Sequence, residues 1–557
     1  MKNWFKKIKI WIIATLFGVA SITLVAFDDN TTFEIAKNLD IYYTLFRELN
    51  LYYVDDTKPS DLIKKSIDAM LNSLDPYTVY IPESQMEDYR FMTTGQYGGI
   101  GSLIRKDGDY IVITEPYEGF PAQKNDIRAG DVILEIEEQS IKGKSTSDVS
   151  EMLKGQPKTI VKLKLKRHGT TVPIEKNIER EEIKIPAVSY YTVINDSVGY
   201  INLSYFTVSA YMEVKKVLIE LKEKHGITSI IIDLRGNPGG LLIEAVNITN
   251  LFVPKSEIIV STKGKVKDWD KDYVAVMPPV DTQIPIVLLV NSGSASASEI
   301  IAGAVQDLDR GVVIGQRTFG KGLVQTTRPL SYNAKLKITT AKYYTPSGRC
   351  IQALDYTHRN SDGSVGKIPD SLITEFKTKN GRSVYDGGGI TPDITLELEQ
   401  LSNLSSSLFE KNLIFDFATE YSSKHFTIPA VSEFAITDEI YNELLVFLNS
   451  KDFDYTTQSE EELKKLTESA KKEKYYELVK NEIELLKTKL AHDKNKDLQV
   501  FKVEIKQLLF EEIISRYYFQ KGRLQALLKD NPAINKAIAV LKDKTLYNSI
   551  LTSQGEK

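Results

Sequence analysis

The chain has 557 residues, of which 42% are hydrophobic and 26% charged, and its formal net charge is −4. This length exceeds what one hydrophobic core supports, so several domains are expected. The balanced charge gives no reason to expect nucleic-acid binding. The single cysteine, Cys350, excludes an intrachain disulfide framework, a multi-cysteine zinc site and a CxxC redox motif. The histidines show no metal-ligand spacing, so neither a metal nor a cofactor is predicted.

The first 30 residues have the pattern of an export signal. Four lysines precede the uncharged apolar residues 10–27, and Asp28 and Asp29 follow. A basic start before an apolar segment places the bulk of the chain across the membrane. The segment is as long as either a cleaved signal or a short spanning helix. A retained anchor is favoured because no small-x-small cleavage site lies beside Phe27, and we expect an extracytoplasmic protein on the periplasmic side of the inner membrane.

Two small domains are predicted next. Residues 31–90 have helical spacing and end in an extended piece at residues 74–82, which predicts an N-terminal helical domain. Residues 91–180 change to short strands separated by glycine.

The second of these domains resembles a PDZ domain. Its elements are YGGIG at residues 97–101, RAGDVILEI at 128–136, a short helix near 146–153 and a last strand at 161–167. In PDZ domains a glycine-rich loop binds a C-terminal carboxylate and the peptide is added as a strand. The resemblance makes the residues of the GGIG loop candidates for binding a substrate tail: Gly98, Gly99, Ile100 and Gly101. Arg167, on the last strand, is expected to face water.

Residues 181–400 are predicted to form an α/β core. Buried strands are followed by helices at residues 229–246 and 284–306, and a further strand is followed by a glycine-flanked loop at 311–325. Functional residues belong in the loops that follow such strands. The glycine-rich run at 229–240 lacks the Lys-Ser/Thr of a P-loop and the Rossmann spacing, so a nucleotide is not expected. Residues 401–557 have helical spacing and predict a helical C-terminal domain.

The sequence NSGSASASE, at residues 291–299, lies between a buried strand and a helix. A serine at a helix N-terminus is close to backbone N–H groups without intrahelical partners, which suits a nucleophile and an oxyanion. A serine-rich helix cap explains the same pattern. The residues of this stretch alone leave both interpretations open.

The full set of motifs resembles the C-terminal processing (tail-specific) serine peptidases, whose core has a ClpP/crotonase-like fold. The PDZ-like module is followed in order by LRGNPGG, NSGSASASE and TFGKGLVQ, with YYTPSGR and GGGITPD behind them. The resemblance implies that Ser296 is the nucleophile and Lys321 its general base. It also implies that Gln325 supports the lysine.

The chemistry agrees with these roles. A lysine removes the serine proton only when it is neutral, and apolar burial lowers a lysine pKa from its reference near 10.4. Phe319, Leu323 and Val324 are expected to supply that apolar setting. Gln325 is expected to accept a hydrogen bond from the lysine amine.

Backbone amides are the expected oxyanion donors because the developing charge needs fixed dipoles. Ala297, which follows the nucleophile, is one candidate. Gly239 of the NPGG turn is the second, with Gly240 and Gly236 as competitors.

Four neighbouring polar residues are predicted to be structural. Ser294 and Ser298 are expected to cap or form the turn. Asp233 and Glu299 are not expected to be catalytic acids, because a nearby anion raises a lysine pKa, which opposes a neutral base.

We therefore predict a serine endopeptidase that cleaves proteins near their C-termini through an acyl-enzyme. Its partners are protein substrates with free C-termini, and the membrane if the anchor is kept; a homo-oligomer or an adaptor protein is left open. One rival is a PDZ scaffold or binding protein with an inactive peptidase core. Another is a crotonase-like acyl-CoA enzyme.

Overall fold

A computed structural model describes residues 29–360, 362–397, 400–451, 453–490 and 493–552. The predicted export segment lies outside the described residues, apart from its last two positions. Within the described residues, no helix combines the length and the hydropathy needed to cross a membrane. The chain divides into two compact units, which meet between Tyr80 and Ile81.

The described residues of the first unit form two helices, α1 Asp29–Tyr52 and α2 Pro59–Asn72, and begin a short strand, β1 Val79–Ile81. Proline at the first position of α2 has the φ angle that a helix start needs and lacks the N–H that would be unpaired there. After α2, the carboxylate of Asp75 accepts hydrogen bonds from the backbone of Tyr77 and Thr78 and fixes the turn.

The second unit begins with a β-rich module. Its elements are α3 Met86–Thr94, β2 Gln96–Gly99, β3 Ser102–Asp107, β4 Tyr110–Pro116, α4 Pro121–Lys124, β5 Val132–Ile136, β6 Gln139–Ser140, α5 Thr146–Leu153, β7 Ile160–Lys166, β8 Ile174–Glu179 and β9 Glu181–Lys184. The main sheet has the order β3-β4-β5-β7-β8, with β6 on β5, so β3 is an edge strand. Strands β2 and β9 pair as a separate antiparallel ribbon, and the chain therefore enters and leaves the module at one place.

The α/β core follows. Its elements are β10 Val188–Ile194, β11 Val198–Leu203, α6 Ala210–His225, β12 Ser229–Asp233, α7 Leu242–Asn250, β13 Ile258–Gly264, β14 Lys271–Val274, β15 Ile286–Val290, α8 Ala297–Asp307, β16 Val312–Gly315, β17 Leu323–Pro329, β18 Lys335–Tyr344, β19 Leu354–Arg359, β20 Val365–Lys367, β21 Glu375–Lys377, β22 Ser383–Tyr385 and β23 Ile394–Thr395. The central sheet has the order β10-β11-β12-β15-β16-β23 and is parallel except for the β10–β11 pair.

The two faces of this sheet have different cores. Successive side chains of strands β11, β12 and β15 point to opposite faces of the sheet. The side chains on one face pack with helices α6, α7 and α8. Antiparallel pairs β17–β18, β18–β13 and β13–β14 form a second sheet beside the first. Because β12 and β15 are neighbouring parallel strands, the loops that follow them lie at the same edge of the sheet.

The C-terminal residues form helices with the bounds α9 Asn403–Glu410, α10 Leu413–Lys424, α11 Asp438–Asn449, α12 Gln458–Lys472, α13 Tyr476–Leu490, α14 Lys494–Val500, α15 Lys502–Ala526, α16 Pro532–Lys542 and α17 Lys544–Leu551. Helices α9, α10, α11, α14 and α15 share one core, whereas α12 and α13 pack on each other. The sequence predicts one C-terminal domain over residues 401–557. In the structure α16 and α17 instead cover the second face of the central sheet.

Candidate active site

The nucleophile candidate lies in a strained turn between β15 and α8. Ser296 has φ 55° and ψ −110°, a left-handed conformation that is unfavourable for a residue with a β carbon. Its side chain is half-buried, and the helix begins at the next residue. Strain at one serine, held by a well-bonded turn, is typical of a functional position.

The serines on either side hold this turn, as the sequence predicts. The Ser294 hydroxyl donates to the carbonyl of Leu234 at 2.7 Å and accepts from the N–H of Asn291 at 3.0 Å. The Ser298 hydroxyl donates to the carbonyl of Asn237 at 3.0 Å. Both hydroxyls are buried and serve to bind the nucleophile turn to the loop after β12.

Glu299 connects the nucleophile turn to the loop that carries Lys321. Its Oε2 accepts the backbone N–H of Ser296 at 2.8 Å and that of Lys321 at 2.9 Å. Its Oε1 accepts the Thr318 hydroxyl at 2.6 Å and the N–H of Gly320 at 2.7 Å. The fold therefore brings the backbones of both dyad candidates to one carboxylate oxygen.

Burial of the Glu299 carboxylate changes its pKa. Glu299 is fully buried, and loss of hydration raises its pKa from 4.5 to about 7, although its four hydrogen bonds lower the pKa. It has no cationic partner among the causes of this shift. The structure agrees with the expectation that Glu299 is structural, and it adds that the residue joins the turn of Ser296 to the loop of Lys321.

Backbone contacts on both sides of Lys321 fix its position. The N–H of Phe319 donates to the carbonyl of Ser294 at 3.0 Å, and the N–H of Gly322 donates to Oε1 of Gln352 at 2.8 Å. The apolar surroundings predicted for the Lys321 side chain are only partly present. Leu323 is buried, but the Phe319 side chain is 50% exposed and does not contribute a closed apolar wall.

Gln325 lies on β17, next to an irregularity in its pairing with β18. Its Nε2 donates to the Thr339 hydroxyl at 3.2 Å, so the amide has a defined orientation. The predicted hydrogen bond from the lysine amine to Gln325 stays a prediction.

The predicted oxyanion donors lie beside the nucleophile. Ala297 is the first residue of α8, where the N–H has no intrahelical acceptor. Gly239 approaches so closely that a β carbon there would lie 2.9 Å from Ser296 Cβ. The Gly239 N–H donates to Oδ1 of Asn237 at 2.8 Å, so its use as an oxyanion donor requires this bond to be shared or exchanged. Both assignments, and the competitor Gly240, stay predictions.

Asp233 is structural, as expected. It is buried, it accepts the Tyr200 hydroxyl at 2.8 Å, and Arg235 binds both of its oxygens. These contacts fix the start of the LRGNPGG loop.

Sequence reasoning missed Asn237, whose carbonyl accepts the N–H of Ala295 at 3.0 Å and so joins this loop to the nucleophile turn. Its place among the glycines of the LRGNPGG motif was the available signal.

The GGIG loop connects strand β2 to edge strand β3. Gly98 and Gly99 end β2, and Ile100 and Gly101 lead directly into edge strand β3. A β carbon at Gly98 would lie 2.1 Å from the carbonyl oxygen of Gly155, so the backbone approach requires glycine. The role of these residues in tail binding stays a prediction.

The expectation for Arg167 was wrong. Its guanidinium binds Asp131 of the RAGD turn at 2.7 Å and Asp126 just before that turn at 2.8 Å, and it is mostly buried. The strand pattern alone does not reveal these acceptors. Among the residues that the structure describes, no three histidine, cysteine or acidic side chains form a group suited to a metal ion.

Comparison with known proteins identifies the family. Residues 197–359 match peptidase family S41, residues 112–167 a PDZ domain, and residues 404–541 a domain described as "Probable PDZ-protease, C-terminal helical domain". The "Carboxy-terminal-processing protease" of Bartonella bacilliformis is 35% identical over 353 residues, which are 62% of this chain and 81% of that protein. The chain belongs to the carboxy-terminal-processing serine peptidases.

Other relatives agree with this membership. A "Probable CtpA-like serine protease" of Staphylococcus aureus is 35% identical, over 61% of this chain and 69% of that protein. Among solved structures, the photosystem II D1 C-terminal processing protease is 29% identical, covers 64% of this chain and 87% of that chain, and has a TM-score of 0.36. The predicted family, enzyme class and multidomain α/β organisation with a PDZ domain are confirmed.

Proposed function

We propose that this carboxy-terminal-processing peptidase cleaves proteins near their C-termini with Ser296 as nucleophile and a neutral Lys321 as general base. The observation that carries the proposal is the shared carboxylate oxygen of Glu299, which holds the backbone of both residues. The family membership supports serine peptidase activity, and the shared contact supports this choice of serine and lysine.

The reaction follows from these positions. Ser296 Oγ attacks the scissile carbonyl carbon while its proton passes to Lys321 Nζ, and the carbonyl oxygen becomes an oxyanion near the N–H of Ala297. The tetrahedral intermediate collapses, the C–N bond breaks, and the leaving amine takes the proton from Lys321. Water then attacks the ester, Lys321 accepts a water proton and returns it to Ser296 Oγ, and the new C-terminal acid leaves.

The PDZ domain is proposed to capture the substrate tail. Its β3 is an edge strand, which leaves main-chain donors and acceptors available for an added peptide strand. Helix α5 packs beside β3, so the groove has a second wall. Because main-chain bonds and a carboxylate dominate such binding, the enzyme would select substrates by their ends.

The test compares wild type, Ser296→Ala and Lys321→Ala on casein and on a peptide with a free C-terminus. We expect cleavage by wild type alone, and a fluorophosphonate adduct at Ser296 by mass spectrometry. The same peptide with an amidated C-terminus should be a poorer substrate, with the difference mainly in KM. Equal cleavage by wild type and Ser296→Ala would refute the mechanism. No cleavage by wild type would favour the rival, a PDZ scaffold with an inactive core.

The cellular location is a separate proposal, and it rests on residues 1–30. A basic start followed by an apolar segment supports export with the peptidase on the outer side of the inner membrane. Fusion of alkaline phosphatase after residue 30 should give an active reporter. The same fusion with residues 2–27 deleted should be inactive, and two equally active fusions would contradict the proposal.

A further inference from the structure

The β17–β18 hairpin carries polar side chains along one face, away from the Lys321 loop. Residues that pair across two antiparallel strands lie on the same face, and so does every second residue of each strand. Gln325 pairs with Thr339, and Thr327 pairs with Lys337 two positions further along. The hydrogen bond from Gln325 Nε2 to the Thr339 hydroxyl agrees with this assignment. Lys337 therefore lies on the face of Gln325, about 7 Å further along the strands.

The far end of this face contacts α3, the helix that leads into the PDZ domain. Lys335 is two positions from Lys337 and shares its face, and the Lys335 ammonium lies 4.4 Å from the centre of the Tyr89 ring in α3. Just before α3, Oε1 of Glu83 accepts Nδ2 of Asn333, at the tip of the hairpin, at 3.2 Å. The chain continues from α3 through β2 into the GGIG loop. The face therefore runs from the proposed catalytic residues towards the segment that leads to the proposed tail-binding loop.

Lys337 is a half-buried cation without a counter-charge. In the part of the chain that the structure describes, its ammonium makes no hydrogen bond and no ion pair. Loss of hydration lowers the pKa of Lys337, and no described charged side chain offsets this effect. Two other cations of the hairpin have aromatic partners: Lys335 has Tyr89, and Arg328 lies 4.8 Å from the centre of the Trp269 ring. A partly dehydrated ammonium without a counter-charge attracts an anion more strongly than one in water.

The position of Lys337 indicates which anion can reach it. A separation of about 7 Å corresponds to two residues of an extended peptide. A substrate cut beside Gln325 would therefore bring a residue near the scissile bond to Lys337. The anionic groups of a peptide are its C-terminal carboxylate and the side chains of aspartate and glutamate. Because the C-terminal carboxylate is proposed to lie at the GGIG loop, an acidic side chain is the anion left for Lys337.

We propose that Lys337 is a specificity-determining residue that binds an acidic side chain of the substrate near the scissile bond. This inference rests on the proposed function, because it needs a peptide at Ser296. The ammonium pairs with the carboxylate in half-buried surroundings, where salt and water screen the attraction less than at the surface. The peptidase would then combine a hold on the tail that does not depend on sequence with a preference for an acidic residue near the cut.

Binding without cleavage tests this inference. Full-length Ser296→Ala protein in detergent is titrated with fluorescent peptides that share one C-terminal tail. Each peptide carries glutamate or glutamine at one position, which is moved through the residues before the tail. We expect the glutamate peptide to bind about three- to thirtyfold more tightly at one or two neighbouring positions, and equally elsewhere. Equal binding of both peptides at every position would overturn the inference, whereas absence of binding by all peptides would refute the proposed function.

Three variants in the Ser296→Ala background control this measurement. Lys337→Met should abolish the preference for glutamate, and Lys337→Arg should keep it because the charge remains. Lys335→Met is the matched control, since Lys335 lies on the same strand and face but has its ammonium over the Tyr89 ring. It should leave the preference in place. Equal losses in Lys335→Met and Lys337→Met would mean that the general positive charge of the hairpin attracts acidic peptides, which contradicts a defined site.

Charge reversal gives a second test that a loss of stability cannot imitate. Lys337→Glu should bind a peptide with lysine at the selected position more tightly than the glutamine peptide, and the glutamate peptide least tightly. In protein with Ser296 intact, the same peptides should follow this order in kcat/KM, mainly through KM. A preference for glutamate that survives Lys337→Glu would overturn the assignment of the site to Lys337.

Discussion

The backbone nitrogens of Ser296 and Lys321 donate to the same oxygen atom, Oε2 of Glu299, at 2.8 and 2.9 Å. A serine–lysine pair needs its two side chains held in register, since small displacements of reacting groups are costly. Here the register is set by a buried carboxylate that performs no chemistry itself. The same carboxylate also fixes Thr318 and Gly320, so one side chain holds the loop that carries Lys321, the proposed base.

The first prediction concerns this contact. Glu299→Gln preserves size but replaces one accepting oxygen with a donor that faces two N–H groups. We expect kcat to fall by about tenfold to a hundredfold with little change in KM, because the loops loosen while the groove is untouched. Glu244→Gln is the matched control, since Glu244 is a buried helix carboxylate that accepts the N–H of Tyr211 at 2.8 Å and lies outside the contacts of the Ser296 and Lys321 loops described above. Equal losses of kcat in both variants would contradict the positioning role.

The second prediction follows from the raised pKa of Glu299, which is about 7 in the folded protein against 4.5 when exposed. Between these values the folded protein keeps a proton that the unfolded chain has released. The free energy of unfolding therefore decreases as the pH rises from about 4.5 to about 7, by about 3 kcal/mol from this group, and is constant above. Thermal unfolding against pH should show this decrease in wild type and not in Glu299→Gln, whose side chain cannot titrate, so the difference between the two curves changes over this window. Parallel curves would mean that Glu299 does not titrate there.

The sequence predicts candidate positions for the chemistry but not the contacts that hold them. NSGSASASE and TFGKGLVQ each combine a strand end with glycine, which indicates functional loops, and the resemblance to the peptidase family then singles out Ser296 and Lys321. The contacts of Glu299 depend on residues 19 to 22 positions away, and no local periodicity encodes which N–H groups a buried carboxylate will meet. The sequence also misled on Phe319, which was expected to supply apolar surroundings for Lys321. A hydrophobic residue in a loop is often left exposed, and its hydrophobicity alone does not predict burial.

Local sequence pattern also fails to predict which domains and charged groups pack together. The spacing of α16 predicts an apolar face but not the surface that it covers, and the structure uses it on the central sheet. The prediction for Arg167 was wrong because its acceptors, Asp126 and Asp131, lie 41 and 36 positions earlier in the chain. Long-range pairing of charges is set by the tertiary fold and not by strand alternation.

The third prediction uses the close approach of Gly239 to the nucleophile turn. Gly239→Ala would place a methyl group 2.7 Å from the Ala295 carbonyl oxygen and 2.9 Å from the Ala297 N–H, at a φ of +99°. We expect the variant to lose nearly all activity, since the Ser296 turn must move. Gly226→Ala is the control, because Gly226 also has a left-handed φ, of +61°, but open space around it. Its cost should be limited to about 1–2 kcal/mol of stability, with normal turnover by the folded fraction. Normal turnover by Gly239→Ala would exclude this close packing.

The fourth prediction tests whether Gln325 acts through a fixed orientation. Its Nε2 donates to the Thr339 hydroxyl at 3.2 Å, which leaves Oε1 directed elsewhere. Thr339→Val removes this acceptor at constant volume, and we expect kcat to fall by about threefold to tenfold while KM stays the same, because the lysine loses an aligned partner. The matched control is Thr340→Val on the same strand, since Thr340 contacts Thr326 at 3.5 Å and not Gln325. Gln325→Ala should lower kcat further than Thr339→Val, and the double variant should equal Gln325→Ala alone. If the two changes multiply instead, Thr339 acts independently of Gln325 and the orientation argument fails.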